Sequence, residues 1–251
     1  MTTVCWFSAG APSAVAAKLS LANGPCEIAY TDPGSEHADN ARFLDDCEVW
    51  FGQEVLRLRS TKYADTWDVF EKTRFLVSPM GARCTIELKK KVRQLAYPEP
   101  DTIHVFGYTV DEQHRADRFR EQNPGVTLLT PLVDHGLTAS DCKAMVERAG
   151  IVLPITYRLG YEHANCIGCV KASGMGYWNK IRDDFPEVFN RMAVLERDIG
   201  HSVCKDGNGP VWLDELERGK GNYATEPKID CSLFCAIAEG SYATAALDGE
   251  G

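Results

Sequence analysis

The chain has 251 residues, 44% of them apolar and 25% charged, with a formal net charge of -9. That is enough chain to bury a full core, and the acidic balance excludes extended non-specific contact with nucleic-acid phosphate, which draws on clustered lysine and arginine. No apolar run approaches the ~20 residues needed to span a bilayer, and the start has no basic and apolar leader, so a soluble, cytoplasmic protein is expected. In chain order, Val4-Cys5-Trp6-Phe7 reads as a buried strand, and Ser13 to Leu21 as a helix that stops at Asn23-Gly24-Pro25. Cys26 to Tyr30 reads as a second strand ending in Asp32-Pro33-Gly34. A helix is expected over Asp39 to Val49 and an alternating strand over Glu54 to Leu58. A strand at Ile103 to Phe106, a helix from Glu112 to Gln122, a turn at Asn123-Pro124-Gly125 and a strand at Val126 to Leu129 complete this half.

Strands alternating with helices predict an α/β fold, doubly wound around a mostly parallel sheet, over residues 1–155. Such sheets bind ligands beyond the carboxyl ends of their strands, near the switch point of strand order. Residues 156–251 read as a cysteine-rich C-terminal extension. It holds a helix from about Asn179 to Asp198, a surface excursion from Lys205 to Glu226 rich in glycine and charge, and a frayed end from Gly240.

Three groups of residues carry chemistry. The first is the strand-to-helix loop Ser8–Ser13. Ser8, Gly10 and Ser13 let the backbone close around an anion, with the unpaired N–H groups and positive dipole end of the next helix behind them. A plain turn capped by Ser13 is the alternative. The second is the cysteines, ten in all. Cys5, Cys26, Cys47 and Cys142 stand singly, as small hydrophobes do. Cys166/Cys169 and Cys231/Cys235 are close pairs whose spacing brings thiolates to one metal centre. A four-iron cluster, a structural zinc, or a redox dithiol at Cys166/Cys169 with the other pair merely packed all fit. The third is charged. Asp32 and Glu36 suit ribose hydroxyls or a magnesium ion, although Asp32 is equally a turn residue. Lys89, Lys90, Lys91 and Arg93 form either a basic patch or a solvated helix face. The six histidines are scattered without ligand spacing and read as structural.

Ser8-Ala9-Gly10-Ala11-Pro12-Ser13-Ala14-Val15 is similar to the Ser-x-Gly-x-x-(Ser/Ala)-Ala-Val loop of phosphoadenosine-phosphosulfate reductases, a branch of the PP-loop superfamily. Pro12 stands where the ATP-splitting members carry Asp. Tyr30 to Glu36 resembles the family's second-strand segment, Arg83 to Lys89 its Cys-Thr-x-x-Leu-Lys segment, and Gly107 to Arg115 its Gly-x-x-x-x-Glu-x-x-Arg segment. Pro131-Leu132-Val133-Asp134 and Gly160-Tyr161 followed by Cys166 continue the order across residues 4–170. The family's C-terminal Glu-Cys-Gly-(Leu/Ile)-His has only Asp230-Cys231-Ser232-Leu233-Phe234 as a distant counterpart.

The resemblance implies an adenine nucleotide substrate, ATP or phosphoadenosine phosphosulfate, held by Ser8, Gly10, Ser13 and Asp32. Arg83, Lys89 and Arg115 would face its anionic end. A [4Fe-4S] cluster on Cys166, Cys169, Cys231 and Cys235 is implied, with zinc as the alternative. Cys84 would act as ligand, sulfur-handling thiol or substrate contact. The activity implied is sulfonucleotide reduction, an oxidoreductase reaction. ATP-dependent thiolation of a tRNA or DNA base by a sulfurtransferase is the close alternative, and a non-catalytic, metal-stabilised nucleotide-binding module the distant one. An electron- or sulfur-donor protein is the partner this predicts. A homo-oligomer and a nucleic-acid substrate are compatible with it, and no membrane contact is expected.

Overall fold

The computed structural model describes residues 1–79, 81–98, 101–227 and 229. Cys231, Cys235 and the expected fraying from Gly240 lie outside the described residues. The first half alternates as its periodicity predicts: β1 (Thr3–Phe7), α1 (Ala11–Asn23), β2 (Glu27–Thr31), α2 (Asp39–Phe51) and β3 (Leu56–Leu58). Then come α3 (Thr66–Thr73), a short hairpin of β4 (Val77–Ser78) and β5 (Gly81–Ala82), and a π-helix (Thr85–Lys90) that runs on into α4 (Lys91–Ala96). β6 (Ile103–Val105), α5 (Gln113–Gln122) and β7 (Thr127–Leu129) close the sheet. The remaining helices are α6 (Pro131–Asp134), α7 (Ala139–Arg148), α8 (Ile155–Arg158), α9 (Met175–Asp184) and α10 (Pro186–Ile199), before a hairpin of β8 (Cys204–Asp206) and β9 (Gly209–Val211). Among the described residues no helix is long and apolar enough to cross a membrane.

The central sheet has the order β3-β2-β1-β6-β7, and all four pairings are parallel. Strands buried on both faces carry apolar side chains at every position, and β1 shows this. Cys5 and Phe7 pack with Ile28, Tyr30 and the alanines of α1 on one face. Val4 and Trp6 pack with Phe106, Ala116 and Phe119 on the other. The helix after β1 and the helix after β6 therefore cover opposite faces, and the carboxyl ends of these two strands form the switch point of strand order. Beside it, Trp6 Nε1–H donates to Nδ1 of buried His104 at 3.0 Å. Burial, and then the nearby Arg93 charge, lower the His104 pKa to about 4.

A second core joins two stretches distant in sequence. Trp67, Phe70, Leu76 and Leu88 pack with Tyr161, Trp178, Ile181, Met192, Val203 and Leu213. Three expectations are corrected here. The helix expected from Asn179 to Asp198 is two helices, because Pro186 forces Phe185 out of the helical region (φ -140°, ψ 64°) and starts α10 afresh. The stretch from Lys205 to Glu226 is not merely a surface excursion, since Leu213 and Leu216 are buried in this core. The run Lys89-Lys90-Lys91 with Arg93 is not a solvated face either. Lys89, Lys90 and Arg93 are buried, and of the four only Lys91 is half exposed.

Candidate functional site

The Ser8–Ser13 loop sits at the switch point. Ser8 N–H and the Ser8 hydroxyl both donate to Ser13 Oγ, at 3.0 and 3.1 Å, and the Ser13 hydroxyl donates to Gly10 O at 2.9 Å. Ala9 is left-handed (φ 53°), a conformation that a residue with a Cβ adopts at some cost. From the neighbouring strand end, Gly107 comes so near that a Cβ would stand 2.7 Å from Ser13 Cα and 2.8 Å from Ser13 N. Only glycine permits that approach. Of the first-turn amides of α1, Ala11 N–H donates to the Tyr157 hydroxyl at 3.3 Å, Pro12 has none, and Ala14 N–H donates to Gly10 O at 3.0 Å. Tyr157 had no signal in the sequence. Its segment is held by Asp39, which accepts Ile155 N–H at 2.8 Å and pairs with Arg42. The Arg42 hydrogen bond is the main reason the Asp39 carboxyl titrates below its ordinary range.

Arg115 lies in α5, the helix after β6. It is paired with Glu112 and its guanidinium stands 4.9 Å from the centre of the Tyr108 ring. Glu112 also caps its own segment, exchanging hydrogen bonds with Thr109. On the other side of the loop, Asp32 ends β2. Its Oδ1 accepts Gly34 N–H at 2.8 Å, the turn role foreseen for it, and its Oδ2 pairs with Arg59 Nε at 3.0 Å.

Glu36 is buried deeper. Tyr30 OH and Asn40 Nδ2 donate to its Oε2 at 2.8 and 2.9 Å, and Lys89 Nζ stands 3.8 Å from Oε1. Burial raises the Glu36 pKa, and the Lys89 charge with both hydrogen bonds opposes that rise. Arg83 pairs with Glu87 at 2.9 Å.

Lys89 also belongs to a second feature. One cavity is lined by Cys84, Thr85, Lys89, Cys166 and Cys169, with Pro33, Thr66, Phe70, Gly168 and Val170 completing its walls. The elements explain the convergence. Ile167 N–H donates to Ser35 O at 3.0 Å, and Asn40 Nδ2 donates to Ala164 O at 3.1 Å, so the Cys-x-x-Cys turn is laced to the end of β2. Gly168 is left-handed (φ 71°), which closes the turn, and Cys169 N–H donates to the Tyr177 hydroxyl at 2.8 Å. Cys84 immediately precedes the π-helix, a rare element that concentrates at functional positions. Among the described residues no three His, Cys, Asp or Glu side chains converge on one ion. Of the cysteines expected to stand singly as small hydrophobes, Cys5, Cys47 and Cys142 are buried and Cys26 is partly buried against the same core, and burial pushes the Cys142 thiol up to about 12.

The structure thus gathers Ser8, Gly10 and Ser13 in one loop, and Cys84, Lys89, Cys166 and Cys169 in one cavity. Asp32, Arg83 and Arg115 each stand in a separate ion pair.

No family model matches the chain, and no curated protein does. Among solved structures, the chain is similar to a phosphoadenylyl-sulfate (PAPS) reductase from Candida auris in a phosphate complex. The identity is 12% over 66% of this chain and 81% of that one, with a TM-score of 0.48. It is also similar to the U34-tRNA thiolase NcsA from Methanococcus maripaludis with its [4Fe-4S] cluster, at 13% identity over 95% and 82% of the two chains and a TM-score of 0.43. At these values the likeness is one of chain path alone, and the chemistry rests on the residues themselves.

Proposed function

We propose that this chain is an enzyme of sulfur metabolism that binds an adenine sulfonucleotide over the Ser8–Ser13 loop and reduces it at the thiol of Cys84. One observation carries the reading. The end of β2, which borders the phosphate-type loop, is tied by Ser35 and Asn40 to the cavity shared by Cys84, Cys166, Cys169 and Lys89. Nucleotide loop and thiols lie along one edge of the sheet.

In this reading the Ser13 N–H at the start of α1 holds phosphate, and the Ser8 hydroxyl turns from Ser13 to join it. The Cys84 thiolate attacks the sulfur of the sulfo group and displaces the adenosine phosphate, leaving the sulfo group on Sγ. An external dithiol donor then attacks Sγ, releases sulfite and departs as its disulfide, so two electrons pass from donor to substrate sulfur. Lys89 offsets negative charge next to Cys84, and Arg115 does so at the nucleotide.

The donor set of Cys166 and Cys169, thiolates on a tight turn, suits an iron–sulfur cluster completed by Cys231 and Cys235. Such a cluster, when bound, would supply one-electron chemistry near the thiol. The same four thiolates would accept zinc, so iron, zinc and acid-labile sulfide are to be assayed on anaerobically purified protein. About four iron and four sulfide per chain are expected, and one zinc with no iron would remove the cluster.

The reaction is tested by sulfite release from phosphoadenosine phosphosulfate with dithiothreitol as donor. Cys84→Ser should abolish it with the fold retained. Absence of sulfite from the wild-type protein, together with ATP-dependent labelling of tRNA by sulfide, would move the assignment to base thiolation.

A further inference from the structure

Five buried side-chain polar atoms among the described residues have no hydrogen-bond partner, and one of them, Thr85 Oγ1, belongs to a residue that lines the cysteine cavity. Thr85 is 3% exposed. A buried hydroxyl without a partner is a liability in a folded chain and calls for an explanation. The other hydroxyl of the cavity wall is already used, since Thr66 Oγ1 bonds Ser35 Oγ at 2.7 Å. The π-helix explains why Thr85 stands with Lys89. Its i→i+5 pairing brings residues four to five apart onto one side, so the first residue and the fifth both reach the cavity.

We infer that Thr85 is a substrate-contacting residue whose hydroxyl donates to an oxygen of the sulfo group while that group is held beside Cys84 and the Lys89 ammonium. The inference rests on the sulfonucleotide reading of the cavity and adds its specificity element. A sulfo group presents oxygens that accept hydrogen bonds and a negative charge that an ammonium offsets. The cavity wall presents the Thr85 hydroxyl and the Lys89 ammonium, which also stands 3.8 Å from Glu36, beside the Thr66 hydroxyl already bonded to Ser35, the thiols and apolar walls. A cationic ligand would meet the Lys89 ammonium with like charge, and an apolar one would leave the Thr85 hydroxyl as it is.

The test is isothermal titration of the reduced, full-length protein with inorganic sulfite under anaerobic conditions, alongside Thr85→Val and Thr85→Ser. Thr85→Val should weaken sulfite about tenfold, the size expected of one hydrogen bond to a charged group. Thr85→Ser should stay within about threefold of wild type. Because the hydroxyl has no partner in the free chain, Thr85→Val should melt no lower than wild type. Sulfite affinity unchanged in Thr85→Val, no sulfite binding by wild type, a marked drop in melting temperature, or weakening of hydrosulfide in place of sulfite would each overturn the inference. Adenosine 3′,5′-bisphosphate is titrated into the same samples. Its failure to bind wild type would break the nucleotide reading separately, whereas normal binding with an inert Thr85 would break only this one.

Discussion

The two cores of this molecule are assembled in opposite ways. The core around α1 is built mainly from neighbours in sequence: β1, α1, β2 and α2 follow one another, and Cys5, Phe7, Val15 and Ile28 meet after short connections, with residues from Leu132 to Leu153 added from farther along the chain. The second core joins residues between Tyr63 and Leu88 to residues between Tyr161 and Leu216. The first positions the anion-type loop largely through local geometry, with Gly107 and Tyr157 closing on it from farther along the chain. The second frames the thiol cavity through contacts that no local pattern announces. The proposed nucleotide site can therefore be read from a short stretch of chain, whereas the proposed sulfur chemistry would depend on two remote segments staying docked.

The largest effect should come from the second core. Trp178 is fully buried and its Nε1–H donates to Ala172 O at 2.8 Å. Trp178→Ala should cost about 3–5 kcal/mol. Denaturant unfolding followed by probes in both cores would show whether the cysteine region opens first or the whole chain unfolds together, and a single shared transition would show the two cores to be one cooperative unit.

His104 gives the next effect, on the sheet side. Its imidazole is held neutral in the folded chain, with a pKa lowered to about 4 from an ordinary 6.5. The unfolded chain takes up the proton first, so stability should fall as pH drops from about 6.5 to about 4, by up to about 3 kcal/mol from this group. His104→Asn keeps an acceptor for Trp6 and should flatten that part of the stability profile. An unchanged slope would place the acid sensitivity elsewhere.

Gly107→Ala drives a Cβ into the backbone of Ser13 and should cost about 1–3 kcal/mol. It should also weaken adenine-nucleotide binding while leaving the thiol cavity's reactivity intact. Ser13→Ala is milder. It removes the oxygen that accepts from Ser8 and donates to Gly10, with an expected loss of about 1 kcal/mol in stability. A calorimetric titration with ADP reads the effect of both on the loop.

Most of the sheet is legible in the sequence, because a buried parallel strand is a short apolar run and its helix comes at once after it. The Ser8–Ser13 loop and the Cys166/Cys169 turn are legible too, since small residues and paired thiols announce themselves. What was hidden has physical reasons. Helix α7 is announced only by its capping box, in which Thr138 and Asp141 bond each other's backbone. Tyr157 reaches the loop from a segment 146 residues away, and nothing local marks a tyrosine for that. Lys89, Lys90 and Arg93 look like a surface run by composition. Their burial comes from the packing of the second core and the sheet, which lies beyond any helical period. The cavity that unites Cys84 with Cys166 and Cys169 is a tertiary fact of the same kind.

The central claim is that loop and thiols serve one substrate. It is tested most directly by the rate at which Cys84 is alkylated by iodoacetamide in the reduced full-length protein, tracked by peptide mass spectrometry, with and without saturating phosphoadenosine phosphosulfate analogue bearing a non-transferable sulfo group. The account predicts that the analogue slows alkylation of Cys84 by at least about tenfold in wild type and far less in Gly107→Ala at the same concentration. Equal alkylation rates with and without bound analogue would contradict it, leaving a nucleotide loop and a thiol cavity that share an edge of the sheet but not a reaction.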